Sequence, residues 1–343
     1  MTLTLHVDTD AWRAHLRRFA DDTPGLVPVA KGNGYGFGLA RLAEETVRLG
    51  VDTLAVGMVH EVAEVRAAGF TGDVVVLTPW TPADGTEVLD DPRTLVTVSR
   101  LDDLRHLAGD RRDTRILLEV RTSMRRHGLP PAELDQAVAV VAGSPLRVEG
   151  WTIHLPMVAA GRLAEARRLA SAALDAFEAP LWLSHLSVDE YRTLAGEVSV
   201  PLRLRVGTAL WLGAPRTRRV TARVLDVHPV ERGERVGYWQ RRMPRSGYVV
   251  VVSGGTANGV AMEAPTAAAT ARQRLVAAAS GSMEALGLAL SPYRIDGRKR
   301  FFVEPPHMQS SLVFLPADAG VAIGDEVPVE VRLTTVSVDR IEG

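Results

Sequence analysis

From about residue 26 to residue 206 the chain alternates short apolar runs with longer amphipathic stretches. The apolar runs are GLVPVA (25–30), DTLAVG (52–57), DVVVLT (73–78), TLVTVS (94–99), TRILLEV (114–120), VEGWTIHL (148–155), LWLSHL (181–186) and LRLRV (202–206). Near-continuous Val, Ile and Leu in short runs suits strands buried on both faces. Between most of them lie segments such as LARLAEETVRLG and GRLAEARRLASAALDAFE, with apolar residues at i, i+3 and i+4. That spacing predicts helices with one buried face. Strands separated by helices imply βαβ units and parallel pairing. Eight such units predict an α/β fold, a (β/α)8 TIM-type barrel.

After residue 214 the texture changes. VTARVLDVHPVERGERVGYW, GYVVVVSGG, RFFVEP, SLVFLP and EVPVEVRLTTVSV read as short strands broken by Gly and Pro. A mostly antiparallel β-domain over 215–343 is expected, with an Ala-rich helical insertion near 262–290. A length of 343 residues suits one large barrel plus such a domain.

The formal net charge is −1, so nothing electrostatic points to nucleic acid or an anionic membrane surface. Arg216, Arg218 and Arg219 read as a solvated face. The chain has no cysteine, which excludes disulfides, thiolate metal sites and Cys nucleophiles. No cluster of metal ligands is evident. MTLTLHVDTDAW has no apolar signal core and no run is long enough to span a bilayer, so a cytoplasmic location is the expectation.

Lysine usage changes the picture. Of 40 basic residues only Lys31 and Lys299 are lysines. Arginine supplies charge, but its guanidinium does not deprotonate in proteins and cannot form a Schiff base. A rare lysine therefore marks a position that needs an amine. Lys299, in the polar run DGRKR, reads instead as a surface residue. Barrel active sites lie at the C-terminal ends of the strands. Lys31 follows the first predicted strand, Arg126 follows the fifth, His154 ends the sixth, Ser187 follows the seventh and Arg205 ends the eighth. The segment Lys31-Gly32-Asn33-Gly34-Tyr35-Gly36-Phe37-Gly38 lets backbone and ligand approach closely. The Ser184-His185 pair lacks the G-x-S-x-G elbow and placed acid of a hydrolase.

VAKGNGYGFG resembles the lysine motif of the alanine racemase family, V-K-A-[ND]-A-Y-G-H-G. The resemblance runs over nearly the whole chain. The opening LTLHVDTDAWRAHLRRF is similar to the family's first strand and helix. The resemblance implies that residues 1–12 join the C-terminal β-domain while 13–214 form the barrel. It implies pyridoxal 5′-phosphate held on Lys31, which also acts as a catalytic base, with Tyr35 on the phosphate. Thr122-Ser123-Met124-Arg125-Arg126-His127-Gly128 resembles D-T-G-M-x-R-x-G, which places Arg126 near the substrate carboxylate. His154, in TIHL, matches a strand-end histidine near Arg205. Ser187 matches a phosphate-binding serine. Arg205-Val206-Gly207-Thr208-Ala209-Leu210 resembles R-x-G-x-A-L-Y-G, with Gly207 and Thr208 on the phosphate and Arg205 facing the pyridine nitrogen. A permanently cationic Arg cannot accept that proton, so such a site suits proton removal and return better than decarboxylation. Gly237-Tyr238-Trp239 resembles S-Y-G, whose tyrosine is the second base and reaches the partner's site in a homodimer. Pro306-His307-Met308-Gln309 resembles V-x-M-D, whose methionine N–H holds the substrate carboxylate.

Departures from the pattern are concentrated around the substrate. Trp211 stands where the family has a phosphate-contacting Tyr, Gln309 where it has Asp, and Ser253-Gly254-Gly255-Thr256-Ala257-Asn258-Gly259 where it has G-Y-A-D-G. The C-terminal tyrosine near the active site is absent, the last Tyr being Tyr293. The expected activity is racemisation of alanine or another small amino acid by two bases, Lys31 and Tyr238. A cofactor-homeostasis or regulatory protein without turnover, and a decarboxylase or aldolase on the same barrel, remain the alternatives.

Overall fold

The computed structural model describes residues 2–110, 112–157, 160–262, 289–316 and 320–343. The expected helical segment near 262–290 falls mainly on 263–288, outside the described residues. The chain divides into two compact units, Met1–Trp12 with Ala214–Gly343, and Arg13–Gly213. No described helix is long and apolar enough to cross a membrane.

Strand β1 (Leu3–Val7) belongs to the first unit. The second unit contains β2 (Leu26–Pro28), β3 (Thr53–Val56), β4 (Asp73–Val76), β5 (Thr94–Val98), β6 (Arg115–Val120), β7 (Arg147–His154), β8 (Leu181–Ser184) and β9 (Leu202–Val206). All pair in parallel, in the order β2-β9-β8-β7-β6-β5-β4-β3. A further parallel bridge between Val29 and Ala55 brings the ends of this sheet together. The predicted TIM-type barrel is therefore present, and each of the eight apolar runs supplies one strand.

Burial explains why these runs lack alternation. Val27, Val29, Ala55, Val75, Leu95, Leu117 and Trp182 pack together as one cluster. Their strand neighbours Leu26, Leu54, Val74, Val96 and Ile116 are also buried. Both faces of most of these strands are thus dry, as a barrel clad in helices requires, while β9 and the start of β7 are only partly buried. The helix Leu39–Arg48 supplies such cladding, burying Leu39, Leu42 and Ala43 on one face.

In the first unit, β10 (Arg218–Val230) is the long central strand. It is followed by the short hairpin β11 (Arg235–Val236) and β12 (Arg241–Arg242), then β13 (Gly247–Ser253), β14 (Leu290–Ile295), β15 (Arg298–Phe301), β16 (Ser310–Leu315), β17 (Glu326–Pro328) and β18 (Arg340–Glu342). β16, β13, β10 and β1 pair antiparallel in that order, and β18 lies parallel to β1. Val230, Met243, Val249, Val303 and Phe314 form a core beneath the hairpin.

Candidate active site

The barrel's candidate residues all stand at the C-terminal ends of its strands. Lys31 lies three residues beyond β2, in a turn that holds Gly32, Gly34 and Tyr35 at positive φ. Tyr35 takes φ 55°, a costly backbone for a side-chain-bearing residue. It is buried, and its hydroxyl lies against Gly207, where any Cβ would overlap it. Burial raises the Tyr35 phenol to about 12, so it stays a neutral donor.

Glu61 fixes the same turn. Its carboxylate accepts from the Gly32 N–H at 2.6 Å, the Gly57 N–H at 2.6 Å and the Met58 N–H at 2.8 Å. The loops after β2 and β3 are thereby tied to one buried acid. Gly57 makes room for this, since a Cβ there would sit 3.0 Å from both Lys31 Cβ and the Glu61 carboxylate. Desolvation lowers the Lys31 pKa, and the Arg126 and Arg205 guanidiniums lower it further, while Glu61 opposes them. The result is an amine more easily deprotonated than ordinary lysine, as nucleophilic attack on a carbonyl requires.

Arg205 ends β9 and is buried. One Nη donates to Ser184 Oγ at 2.7 Å, and Nε has no partner. Burial, with help from Arg126 and against the pull of Glu119, lowers Arg205 to about 10. Glu119, next to last in β6, accepts from Ser99 Oγ at 2.5 Å. His154 ends β7, and its Nδ1 shares Ser184 Oγ at 2.8 Å. Burial, then the Arg205 charge, pushes His154 down to about 2, so it is neutral near physiological pH. His185 meets His154 edge-on at 4.8 Å and is lowered for the same first reason. Thr122 Oγ1 donates to the His154 carbonyl at 2.9 Å, tying the Arg126 loop to β7. Arg126 itself is exposed and makes no ion pair or hydrogen bond among the described residues.

Ser187 caps the helix Val188–Ala195, accepting from the Glu190 N–H at 3.2 Å and forming a capping box. Its oxygen can still face a ligand, but it already has one structural duty. Trp211, in place of the family's Tyr, donates its indole N–H to the Val29 carbonyl at 2.8 Å and is fully buried. It holds the β2 end rather than offering a group to a ligand. Ser184, Glu61, Glu119 and His185 were not singled out as site residues by sequence. Strand-end position is the signal that could have found Ser184 and Glu119; nothing local marks Glu61.

Lys31, Arg126 and Arg205 therefore face one another with two neutral imidazoles. Such a mouth suits a small anionic ligand carrying a carbonyl. Arg205 Nε is a buried donor without a partner, the missing Cβ of Gly207 admits the Tyr35 hydroxyl beside its backbone, and Lys31 supplies the amine. These are the donors that pyridoxal 5′-phosphate requires. Among the described residues no group of His, Asp and Glu could hold a metal ion.

In the other unit, Tyr238 lies in the turn joining β11 to β12 and is 82% exposed, with Trp239 77% exposed. Met308 is 72% exposed, and its N–H makes no hydrogen bond among the described residues. Tyr293 is buried, and its hydroxyl donates within reach of the Gly254 carbonyl at 2.8 Å and the Ser253 carbonyl at 3.1 Å, a core role.

Comparison with known proteins bears on this site. Residues 7–214 match the family described as alanine racemase, N-terminal domain. An alanine racemase of Symbiobacterium thermophilum is 33% identical over 155 residues, 43% of this chain and 41% of that protein. One from Desulfovibrio desulfuricans is 30% identical over 42% of its own length, so the alignment spans about two fifths of these relatives. A longer match, 28% over 75% of each chain, is to the alanine racemase of Nitratidesulfovibrio vulgaris. The solved alanine racemase from Bartonella henselae with covalently bound pyridoxal phosphate superposes with a TM-score of 0.75 at 17% identity, covering 100% of both chains. That from E. faecalis gives 0.72 at 20%, covering 96% of this chain and 88% of that one. With a matching family domain over the whole barrel and the lysine, arginine and histidine positions at its strand ends, the chain belongs to the alanine racemase family.

Proposed function

We propose that the protein is a pyridoxal 5′-phosphate-dependent racemase of alanine or another small amino acid, acting through two bases as a homodimer with shared active sites. The observation that carries this reading is Lys31: one of two lysines, at the C-terminal mouth of the barrel, with its pKa lowered by burial and two guanidiniums. When bound, the cofactor supplies an electron-withdrawing ring that acidifies the α-proton of an amino acid joined to it.

The residues then divide the work. Lys31 would hold the cofactor through its amine, and its Nζ would carry the α-proton as one of the two bases. Tyr35, Ser187, Gly207 and Thr208 hold the phosphate, with Tyr35 kept protonated by burial. Arg205 would be the group set against the ring nitrogen; a guanidinium donates and does not take up a proton there, which would favour proton return over deeper rearrangement. Ser184 and His154 fix Arg205 in place. Arg126 and the Met308 N–H bind the substrate carboxylate. Tyr238 would be the second base, exchanging a proton from the side opposite Lys31. Its high exposure, shared with Trp239 and Met308, supports a surface completed by a second copy of the chain.

The test is α-proton exchange in deuterated water across L- and D-amino acids, read by NMR and chiral chromatography. Exchange with inversion is expected for at least one small amino acid. Exchange by none, while borohydride reduction still fixes the cofactor to Lys31, would overturn racemisation in favour of cofactor binding without turnover.

A further inference from the structure

Tyr238 sits in a two-strand hairpin turn with most of its surface in water. A base that must meet one proton from one direction cannot wander among rotamers; a misplacement near 1 Å costs about 10²-fold in rate. Something must hold it, and the structure places a buried carboxylate there.

Glu304 has a side chain only 1% exposed. It forms no ion pair with Lys or Arg among the described residues. Instead one oxygen accepts from the Tyr238 N–H and the other from the Trp239 N–H, each at 3.2 Å. The first oxygen also meets His307 Nε2 at 2.7 Å. Gly237, at φ 78°, lies flat on the same carboxylate, where a Cβ would overlap it. His307 in turn stacks on the Tyr238 ring, with centroids 4.4 Å apart and planes 38° apart. A buried acid is expensive unless its oxygens are satisfied. This one takes its hydrogen bonds from the backbone of Tyr238 and its neighbour and from the ring that faces the phenol.

We propose that Glu304 and His307 are positioning residues for Tyr238. Glu304 fixes the backbone of the turn through two amides and fixes the imidazole through Nε2. The imidazole, so held, is a platform that sets the direction of the phenol hydroxyl. No proton passes through the pair, and neither residue touches the reacting atoms. The idea rests on the reading of Tyr238 as the second base.

The variants Glu304→Gln, His307→Leu and Tyr238→Phe, each as holoenzyme, test it. Hydrogen–deuterium exchange of the amides of residues 237–240, measured without substrate, is expected to quicken at least several-fold in Glu304→Gln. The second readout is the ratio of inversion to α-proton washout with retention. Tyr238→Phe is expected to abolish inversion while Lys31 still washes out the proton of one enantiomer. Glu304→Gln and His307→Leu are expected to move the ratio the same way, by roughly 10- to 100-fold, with KM nearly unchanged. A general loss of stability would lower inversion and washout together, and that result overturns the proposal, as does a ratio that does not move. If Tyr238→Phe leaves inversion intact, the assignment of Tyr238 falls and the proposal with it. His307→Leu keeps the Glu304 tether to the turn and serves should Glu304→Gln not fold.

Discussion

Replacing Ser184 with Ala should weaken the barrel out of proportion to the single oxygen removed. Among the described residues Ser184 Oγ is the one hydrogen-bond partner of Arg205 Nη2, and it also receives or gives a bond to His154 Nδ1. Arg205 is buried and its Nε is already without a partner. The lost bond joins a charged donor to a hydroxyl, so its removal costs about 1.5–3 kcal/mol, and no water-exposed position lets the guanidinium recover it. For a barrel of about 200 residues, 1 kcal/mol corresponds to roughly 2–4 °C, which gives a drop in Tm of roughly 3–12 °C. The assay is urea unfolding of the cofactor-free protein, followed by far-ultraviolet circular dichroism. Ser187→Ala is the comparison, since it removes only a helix N-cap worth about 1 kcal/mol. A Ser184→Ala change below about 0.5 kcal/mol at unchanged m would refute the claim that this hydroxyl satisfies Arg205.

Two other expectations follow from the same electrostatics. His154 is pushed down to about 2 in the fold from an ordinary 6.5, so folding favours its neutral form; this stability is complete above the unfolded value and is lost as pH falls below about 6.5, at up to about 1.4 kcal/mol per pH unit. His185 acts in the same direction, and His154→Asn should flatten the slope measured by unfolding between about pH 7.5 and about pH 5.5, above the carboxylate range; an unchanged slope would assign the effect elsewhere. Lys31, with its lowered pKa, should be acylated faster than Lys299, which is paired with Glu330 at 2.7 Å; mass spectrometry of limited acylation in the cofactor-free protein reads both sites, and equal labelling would contradict the lowered value.

Much of this protein was legible from period and composition. Eight double-sided apolar runs separated by amphipathic stretches leave little choice but a closed parallel sheet, because each run must be dry on both faces. The scarcity of lysine singled out Lys31, and the strand-end rule gathered Arg126, His154 and Arg205 around it. Those inferences are local: period, residue type and position at an element's end are properties of the sequence itself. The tertiary fold decided how these groups are held. Glu61 lies 30 residues beyond Lys31 yet anchors its turn, because parallel strands β2 and β3 bring their following loops side by side. Ser184 bridges Arg205 and His154 only because β7, β8 and β9 are adjacent in register, with His154 opposite Ser184 and Ser184 opposite Arg205. Glu304 reaches the turn of Tyr238 across more than sixty residues. Trp211, which the sequence presents as a missing phosphate ligand, is a buried prop for β2. A pattern along the chain reports which face of an element is dry, whereas the partner of a buried polar group depends on which strands become neighbours, and only the closed fold specifies that.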